Sequence, residues 1–322
     1  MKAPTTLLSR AVCPSTRTSK VSSRLMTTSG LNDNHPLFQE QLQALKRQQA
    51  LKMSSSTRGS KRQKPNDADK TFQLIYWPSM PGRGEHIRLA FEATGTPYTD
   101  VSNKTDAGVN AVLSQISDKN SGDEHNPPPL APPVLKHGDD VTISQTPNIL
   151  LYLGPKLGLV PDVNEDRVGL YHVNALTLTA LDGLSNEPHD VHHPIASSAY
   201  YEDQKPEAAK KAEDYRNVRL PKFLEYFERV LAGPASQGGE YLYGGKLSYA
   251  DLVLFQTLDG LSFAFPKRVG KLRGSGKYEK VFALYERVKG LDKVKAYLES
   301  DRRLEYSMGI YRHYPELDEE GE

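Results

Sequence analysis

The segment from Phe72 to Thr94 restricts the possible folds of this chain more than any other stretch. It starts with a short apolar run, Phe72–Trp77, and a turn rich in Pro and Gly follows, Pro78–Gly84. After the turn, apolar residues recur with helical spacing. A strand, a tight turn and a helix start in this order bring backbone N–H groups together at one point. We therefore expect a site here that holds an anion or generates one.

Three side chains at this turn could carry the chemistry of such a site. They are the phenol of Tyr76 at the end of the strand, the hydroxyl of Ser79 and the guanidinium of Arg83. Simpler roles remain open for two of them. Tyr76 could be a buried aromatic residue at a strand end, and Arg83 could pair with Glu85 or Glu92 on the helix.

The first 70 residues differ from the remainder in composition and charge. They contain thirteen Lys or Arg and four Asp or Glu, whereas the whole chain has a formal net charge of +1. Residues 71–322 are therefore net acidic, which argues against nucleic acid as a partner. We predict a disordered basic extension over residues 1–70. Residues 1–32 contain no acidic residue, and both a mitochondrial transit peptide and a plain basic tail fit this composition.

The cysteine content and the lengths of the apolar runs exclude several classes of protein. Cys13 is the only cysteine, so the chain cannot form an internal disulfide or a Cys-based metal site. A thiol reaction would need a thiol that the substrate supplies. A reducing, cytoplasmic compartment fits this cysteine content. No apolar run approaches the roughly 18 residues of a membrane span, so we expect no membrane partner.

The chain up to about residue 160 predicts the element order β-α-β-α-β-β-α. Residues 105–120 have helical spacing, and residues 131–144 contain two β runs around a turn signal. The last helix starts clearly, because Thr146 is a suitable N-cap and Pro147 suits the first helical position. This order predicts a mixed sheet with helices on both faces.

Three stretches of this region form a recognisable set: YWPSMPGRGEHIRLAFEATGTPY from Tyr76, PPVLKHGD from Pro132 and SQTPNILLYLG from Ser144. Taken together and in order, they resemble cytosolic glutathione transferases of a tyrosine-type and fungal-like kind. The resemblance implies an α/β thioredoxin-like N-terminal domain over residues 71–160, followed by an all-α C-terminal domain over residues 166–312. It also implies that glutathione is a co-substrate, with no separate cofactor and no metal.

The resemblance also implies a set of glutathione-binding residues. Gln145 and Thr146 stand at a helix start, where free N–H groups favour an anion, and in the family this pair holds the γ-glutamyl carboxylate. Pro133 matches the cis-proline of the family, and Val134 follows it. The residue before the cis-proline normally binds the cysteinyl part of glutathione through its N–H. Here it is Pro132, which has no N–H. Either Pro132 is itself the cis residue, or this hydrogen bond is missing and binding is weaker by about 0.5–1.5 kcal/mol.

The thiol of glutathione needs a donor that stabilises its thiolate. A free thiol has a pKa of about 8.5, so little thiolate forms at neutral pH, and a nearby hydroxyl raises that fraction. Tyr76 matches the catalytic position of tyrosine-type transferases, whereas Ser79 matches the position that other classes use. We favour Tyr76, with Arg83 supporting the anion.

Residues 166–312 predict a helical domain. We expect a long helix from Asp166 to Glu187 that Pro188 ends. Within it, Asp182 matches the family residue that reaches across a dimer to the α-amino group of glutathione.

Further along the chain, Ser248 and Asp251 form a capping box at the start of a strongly apolar, central helix. We expect an acidic tail over residues 313–322 that is loose from Tyr314 onward. Three histidines have i, i+3, i+4 spacing that can suit a metal, but prolines bracket them and we predict no metal there: His189, His192 and His193.

Together these features predict a homodimeric, cytoplasmic glutathione transferase that joins the glutathione thiolate to a hydrophobic electrophile. Tyr171, Met308 or Tyr311 could line the electrophile side. One alternative is a transferase-fold interaction or structural module without transferase activity. Another is a different glutathione-dependent enzyme, such as an isomerase or a peroxidase. A mitochondrial location follows instead if residues 1–32 are a transit peptide.

Overall fold

A computed structural model describes residues 71–319, so the predictions for residues 1–70 lie outside the described residues. The first part of the described chain contains one four-stranded sheet with the strand order β2-β1-β3-β4. Strand β1 runs parallel to β2 and antiparallel to β3, and β3 runs antiparallel to β4. The strands are β1 (Phe72–Ile75), β2 (Tyr98–Asp100), β3 (Val134–His137) and β4 (Val141–Ser144).

Both faces of this sheet are covered, as alternating side chains in β1 and β3 show. Leu74 lies opposite Leu135 in the register, and both belong to the larger hydrophobic core. Ile75 lies opposite Val134, and these two pack with Val112 in a separate cluster. The sheet therefore has helices on both faces, as the sequence predicts.

Four helices accompany the sheet. The helix predicted over residues 105–120 is shorter than expected, because the extended backbone of Thr105 delays its start to Gly108. The start of the last helix is also corrected by one position, since Gln145 is the N-cap and Thr146 is the first helical residue. The helices are α1 (Glu85–Thr94), α2 (Val101–Lys104), α3 (Gly108–Gln115) and α4 (Thr146–Leu157).

From Thr146 to the end of the described residues the chain contains helices and turns but no strand, which confirms the predicted fold class. The limits placed at residues 160 and 166 stay a prediction. None of the helices in residues 71–319 is both long and apolar enough to cross a membrane. The later helices are α5 (Gly169–Leu181), α6 (Glu187–His192), α7 (Lys205–Asp214), α8 (Leu220–Ala232), α9 (Tyr249–Ala264), α10 (Pro266–Gly274), α11 (Glu279–Lys289) and α12 (Asp292–Leu298).

Helix α9 is central, because most of its residues are buried and it packs against α5, α11 and α1. It starts with the predicted capping box. The backbone N–H of Asp251 donates to the Ser248 hydroxyl, and the Asp251 carboxylate accepts the Ser248 N–H at 2.7 Å. Helix α9 therefore connects the helical part to α1, the helix that follows β1.

Within residues 71–319, two π-helical turns interrupt the long helices. One, Asp182–Asn186, joins α5 to α6, and the other, Tyr215–Arg219, joins α7 to α8. The expectation that Pro188 ends the first long helix is therefore wrong. Pro188 lies in the first turn of α6, where proline is tolerated, and the helix continues to His192.

The chain end packs against the helices, so the expectation of a loose tail from Tyr314 is wrong for the described residues up to 319. The rings of Tyr314 and Tyr201 stack with centroids 3.8 Å apart. Asp318 is buried and accepts the backbone N–H groups of Lys267 and Arg268 at 2.7 and 3.1 Å. The carboxylate thus satisfies free N–H groups at the start of α10.

Candidate functional site

Tyr76 follows β1 directly, and its side chain is almost completely buried against the turn before α1. Its hydroxyl oxygen accepts the backbone N–H of Arg83 at 2.9 Å. The turn can approach the ring this closely because it contains glycines. A Cβ at Gly82 would lie 2.3 Å from the Tyr76 oxygen, and one at Gly84 would lie 2.7 Å from Cγ of the ring. The sequence around the turn thus fixes where this phenol points.

Burial raises the pKa of Tyr76. The hydrogen bond from Arg83 and the charges of Arg83 and Arg88 oppose this shift without cancelling it. The phenol consequently stays protonated at neutral pH and can act as a hydrogen-bond donor.

Ser79 lies in the same turn, in a left-handed backbone conformation with φ of 58°. Its backbone N–H donates to the side chain of Asn103 at 2.8 Å. The turn therefore brings both predicted thiol-activating candidates, Tyr76 and Ser79, to one end of β1.

Arg83 forms neither of the ion pairs with Glu85 or Glu92 that the sequence left open. Glu85 pairs with Arg88 and Arg303, and Glu92 pairs with Arg302. The Arg83 guanidinium instead donates to Oδ1 of Asn186 at 2.6 Å. Its side chain thus points toward the helical part of the protein.

The start of α4 forms the second half of the site. Gln145, the N-cap, is exposed and has a positive φ of 73°, and Thr146 is buried behind it. The Thr146 hydroxyl donates to the backbone carbonyl of Arg83 at 3.3 Å. One hydrogen bond therefore connects the helix start predicted to hold a carboxylate with the turn that contains Tyr76.

The peptide bond between Pro132 and Pro133 is cis, so Pro133 rather than Pro132 is the cis residue. Val134 follows at the start of β3, where it is buried and pairs with Ile75 and Ser144. Because Pro132 has no N–H, this segment offers a ligand only the carbonyl group of that residue. The loss of a hydrogen bond to glutathione at this position stays a prediction.

Asp182 opens the π-helical turn and is exposed. Such a position is accessible to a second molecule. Its proposed role across a dimer stays a prediction.

The three histidines form a close group at the end of α6. Their ring centroids lie 4.7 to 5.1 Å apart. Burial lowers the pKa of His192 to about 2 and that of His193 to about 4. No cluster of metal-binding side chains is found within residues 71–319. Their packing indicates a neutral, structural group.

The candidates for the electrophile side differ in position. Tyr311 is buried and donates to the carbonyl of Leu184 at 2.8 Å, whereas Tyr171 is 66% exposed. Met308 is also exposed and precedes Gly309, where a Cβ would lie 3.1 Å from the sulfur of Met80 in the site turn. Met308 therefore lies next to Gly309, which contacts Met80 in the turn that follows β1.

Comparison with known proteins finds glutathione S-transferases among the similar proteins. The family described as "Glutathione S-transferase, C-terminal domain" matches residues 189–301. A glutathione S-transferase of Plasmodium falciparum is 24% identical over 196 residues, which cover 60% of this chain and 82% of that protein. Glutathione S-transferase P 1 of Xenopus laevis is 28% identical over 240 residues, which cover 72% of this chain and 93% of that protein.

This chain is similar to glutathione S-transferases, and the match to their C-terminal domain covers about a third of it. The solved structure of NaGST-2 shares the fold, with a TM-score of 0.50 and 21% identity over 72% of this chain and 97% of that one. The fungal-like character stays a prediction.

The sequence alone does not indicate Asn186 as part of the candidate site. The residue lies 103 positions after its partner Arg83, in a π-helical turn that no local spacing predicts. Neither the segment around Arg83 nor the one around Asn186 indicates this contact by itself. Only a pattern that includes both segments could have suggested it.

Proposed function

We propose that this protein conjugates the thiolate of glutathione to a small hydrophobic electrophile. The observation that carries the proposal is the buried, oriented hydroxyl of Tyr76. Its oxygen accepts the Arg83 N–H, and no acceptor for its proton lies within the described residues. Burial keeps it protonated, so a thiolate placed against it would gain a hydrogen bond that the thiol would not. That difference lowers the pKa of the bound thiol.

The start of α4 supports the proposal from the other side of the ligand. Gln145 and Thr146 present the free N–H groups and the positive dipole end of a 12-residue helix, which favour a carboxylate. Pro132 and the cis residue Pro133 come directly before β3, which pairs with β1. The absent N–H of Pro132 should weaken glutathione binding by about 0.5–1.5 kcal/mol.

In the reaction, the thiolate attacks the electrophilic carbon and a C–S bond forms. With an aryl halide as the test electrophile, the C–halogen bond then breaks and the halide leaves with the bonding electrons. The thiol proton passes to solvent when the thiolate forms. Tyr76 keeps its own proton and acts as a donor throughout.

The test compares the wild type with Tyr76→Phe and Ser79→Ala. Conjugation of glutathione to an aryl halide is measured together with the ultraviolet absorbance of the bound thiolate. We expect Tyr76→Phe to lower kcat/KM by roughly 10- to 100-fold and to abolish the thiolate band at neutral pH, whereas Ser79→Ala keeps both. Full activity in Tyr76→Phe would overturn the assignment, and loss of activity in Ser79→Ala would transfer the role to Ser79.

The same samples separate the alternatives. Retention of the wild type on immobilised glutathione without turnover would identify an interaction module. Turnover with a peroxide or an isomerisable substrate, but not with the aryl halide, would identify another glutathione-dependent enzyme. The proposal includes a homodimer, in which the exposed Asp182 would approach glutathione bound to the partner subunit. A cytoplasmic location, or mitochondrial import through residues 1–32, stays a prediction.

A further inference from the structure

Three hydrogen bonds hold Arg83, one at its backbone N–H, one at its backbone carbonyl and one at its guanidinium. Its backbone N–H donates to the Tyr76 oxygen at 2.9 Å, and its carbonyl accepts the Thr146 hydroxyl at 3.3 Å. These two contacts fix the backbone. The guanidinium is held by Oδ1 of Asn186 at 2.6 Å. The orientation of the charged group thus depends on a residue from the helical part.

Asn186 is itself held in place. It is the last residue of the π-helical turn that begins at Asp182, and its Nδ2 group lies 3.4 Å from Oδ1 of Asp182. An amide nitrogen that faces a carboxylate leaves the amide oxygen for Arg83. Turns of this kind often occur at functional sites, because they change the direction of the side chains that follow.

Close packing fixes the turn against α8. A Cβ at Gly183 would lie 2.1 Å from the ring of Phe223, so a glycine is required at this position. The turn cannot shift toward α8 without displacing that ring. Asn186 therefore projects from a rigid support, and its amide oxygen meets the guanidinium at a defined position.

The partner of Arg83 is a neutral amide, and this has an electrostatic consequence. A carboxylate in the same place would cancel the charge of the guanidinium. The amide oxygen orients the group by a hydrogen bond, and within residues 71–319 no carboxylate forms an ion pair with it. The charge of Arg83 already acts on the Tyr76 phenol. It is also available to an anion bound next to the phenol.

We propose that Asn186 is a positioning residue for thiol activation. It aims the charge of Arg83 at the thiolate that Tyr76 binds, and so the helical part of the chain helps to set the reactivity of the thiol. This inference rests on the proposed transferase function. Asn186 acts through Arg83 and contacts neither the thiol nor the electrophile.

The test uses Asn186→Ala, Asn186→Asp, Arg83→Ala and the double variant Asn186→Ala/Arg83→Ala. The matched control is Asn217→Ala, because Asn217 is exposed and lies in the other π-helical turn. The readouts are the pH profile of kcat/KM with an aryl halide, the pKa of the bound thiol from thiolate absorbance, and glutathione binding from the fluorescence of Trp77. Trp77 is the only tryptophan and adjoins Tyr76, so it reports binding independently of turnover.

We expect Asn186→Ala to lower kcat/KM roughly tenfold at neutral pH, as for the loss of a hydrogen bond to a charged group. The pH profile should move to higher pH, so that activity recovers in alkali. Asn186→Asp should show the same shift, because its carboxylate would cancel the charge of Arg83, although it also loses the contact with Asp182. The double variant should be no worse than Arg83→Ala, and Asn217→Ala should match the wild type.

An unchanged pH profile in both Asn186 variants would overturn the inference, as would additive losses in the double variant. If Asn186→Ala does not fold, the nearly isosteric Asn186→Asp, compared with Arg83→Ala, decides the outcome. A wild type that neither changes Trp77 fluorescence with glutathione nor conjugates it would refute the proposed function itself. A wild type that does both, with Asn186 variants that behave identically, would refute this inference only.

Discussion

Gly84 lies against the ring of Tyr76 in ordinary helical backbone, with φ of −67° and ψ of −26°. A Cβ there would lie 2.7 Å from Cγ of the ring, so Gly84→Ala must displace Tyr76 without straining the backbone. We expect a loss of about 1–3 kcal/mol in the free energy of unfolding and a fall in conjugating activity. Urea unfolding and the aryl halide assay measure the two effects.

The control for this change is Gly270→Ala in α10, because nothing lies within 4 Å of a Cβ at that position. It should keep full activity and gain up to about 0.5–1 kcal/mol in stability, since alanine suits a helix interior better than glycine. A Gly84→Ala variant that is as stable and as active as this control would show that the ring is not held by the turn.

At the same scale, the sequence predicted most of the groups in the candidate site but few of their partners. Tyr76, Ser79 and Arg83 lie within eight residues, so their proximity follows from a strand and a turn. The bonds from Thr146 and Asn186 to Arg83 span 63 and 103 residues. Such contacts depend on how the helices pack, and local spacing contains no information on packing.

At the scale of elements, the capping box of α9 is the feature that the sequence predicted best, because it depends on four consecutive residues. Its carboxylate has a second role that the sequence did not show, since Asp251 also accepts the backbone N–H of Leu242 at 2.7 Å. Ser248→Ala removes the acceptor of one N–H and should lower stability by about 1 kcal/mol. Asp251→Asn leaves one buried N–H unpaired and should cost about 1–3 kcal/mol.

The exposed helix serine Ser114 provides the control for this pair, because Ser114→Ala changes no buried group and should stay within about 0.5 kcal/mol of the wild type. Urea unfolding midpoints rank the stabilities of Ser248→Ala, Asp251→Asn and Ser114→Ala. Equal midpoints for Asp251→Asn and Ser114→Ala would show that the capping box does not stabilise the fold.

Element limits were predicted less well than element types, and each error has a physical cause. Pro188 was expected to end a helix, but the π-helical turn before it places it in the first turn of α6, where proline is tolerated. The chain end was expected to be loose because it is acidic. Instead, Asp318 finds the free N–H groups at the start of α10, a long-range contact that composition does not reveal.

At the scale of the whole molecule, a buried network of charges joins the sheet-bearing part to the helical part. Glu85 on α1 has no exposed surface and binds Arg303 at 2.6 Å and the hydroxyl of Tyr297 at 2.5 Å. Arg303 also binds Asp259 on α9 at 2.8 Å. Burial raises the pKa of Glu85, but the charges of Arg303 and Arg88 outweigh it and hold that pKa below its usual range.

Arg303→Met should therefore be the most damaging change outside the site, because it leaves the charge of Glu85 buried without its main partner across the two parts. We expect a loss of about 3–5 kcal/mol in the free energy of unfolding. The neighbouring Arg302 is the control, since its pair with Glu92 at 3.0 Å is partly exposed and Arg302→Met should cost about 0–1 kcal/mol.

The double variant Glu85→Gln/Arg303→Met distinguishes an ion pair from simple packing. It should be more stable than Arg303→Met alone, because no unpaired charge remains buried. Since the pKa of Glu85 is depressed, the contribution of the pair is present at neutral pH and is lost as acid protonates Glu85. The gap between wild type and Arg303→Met in urea unfolding should accordingly narrow as the pH falls. A gap that does not change with pH would mean that Arg303 stabilises the protein by packing and not by its charge.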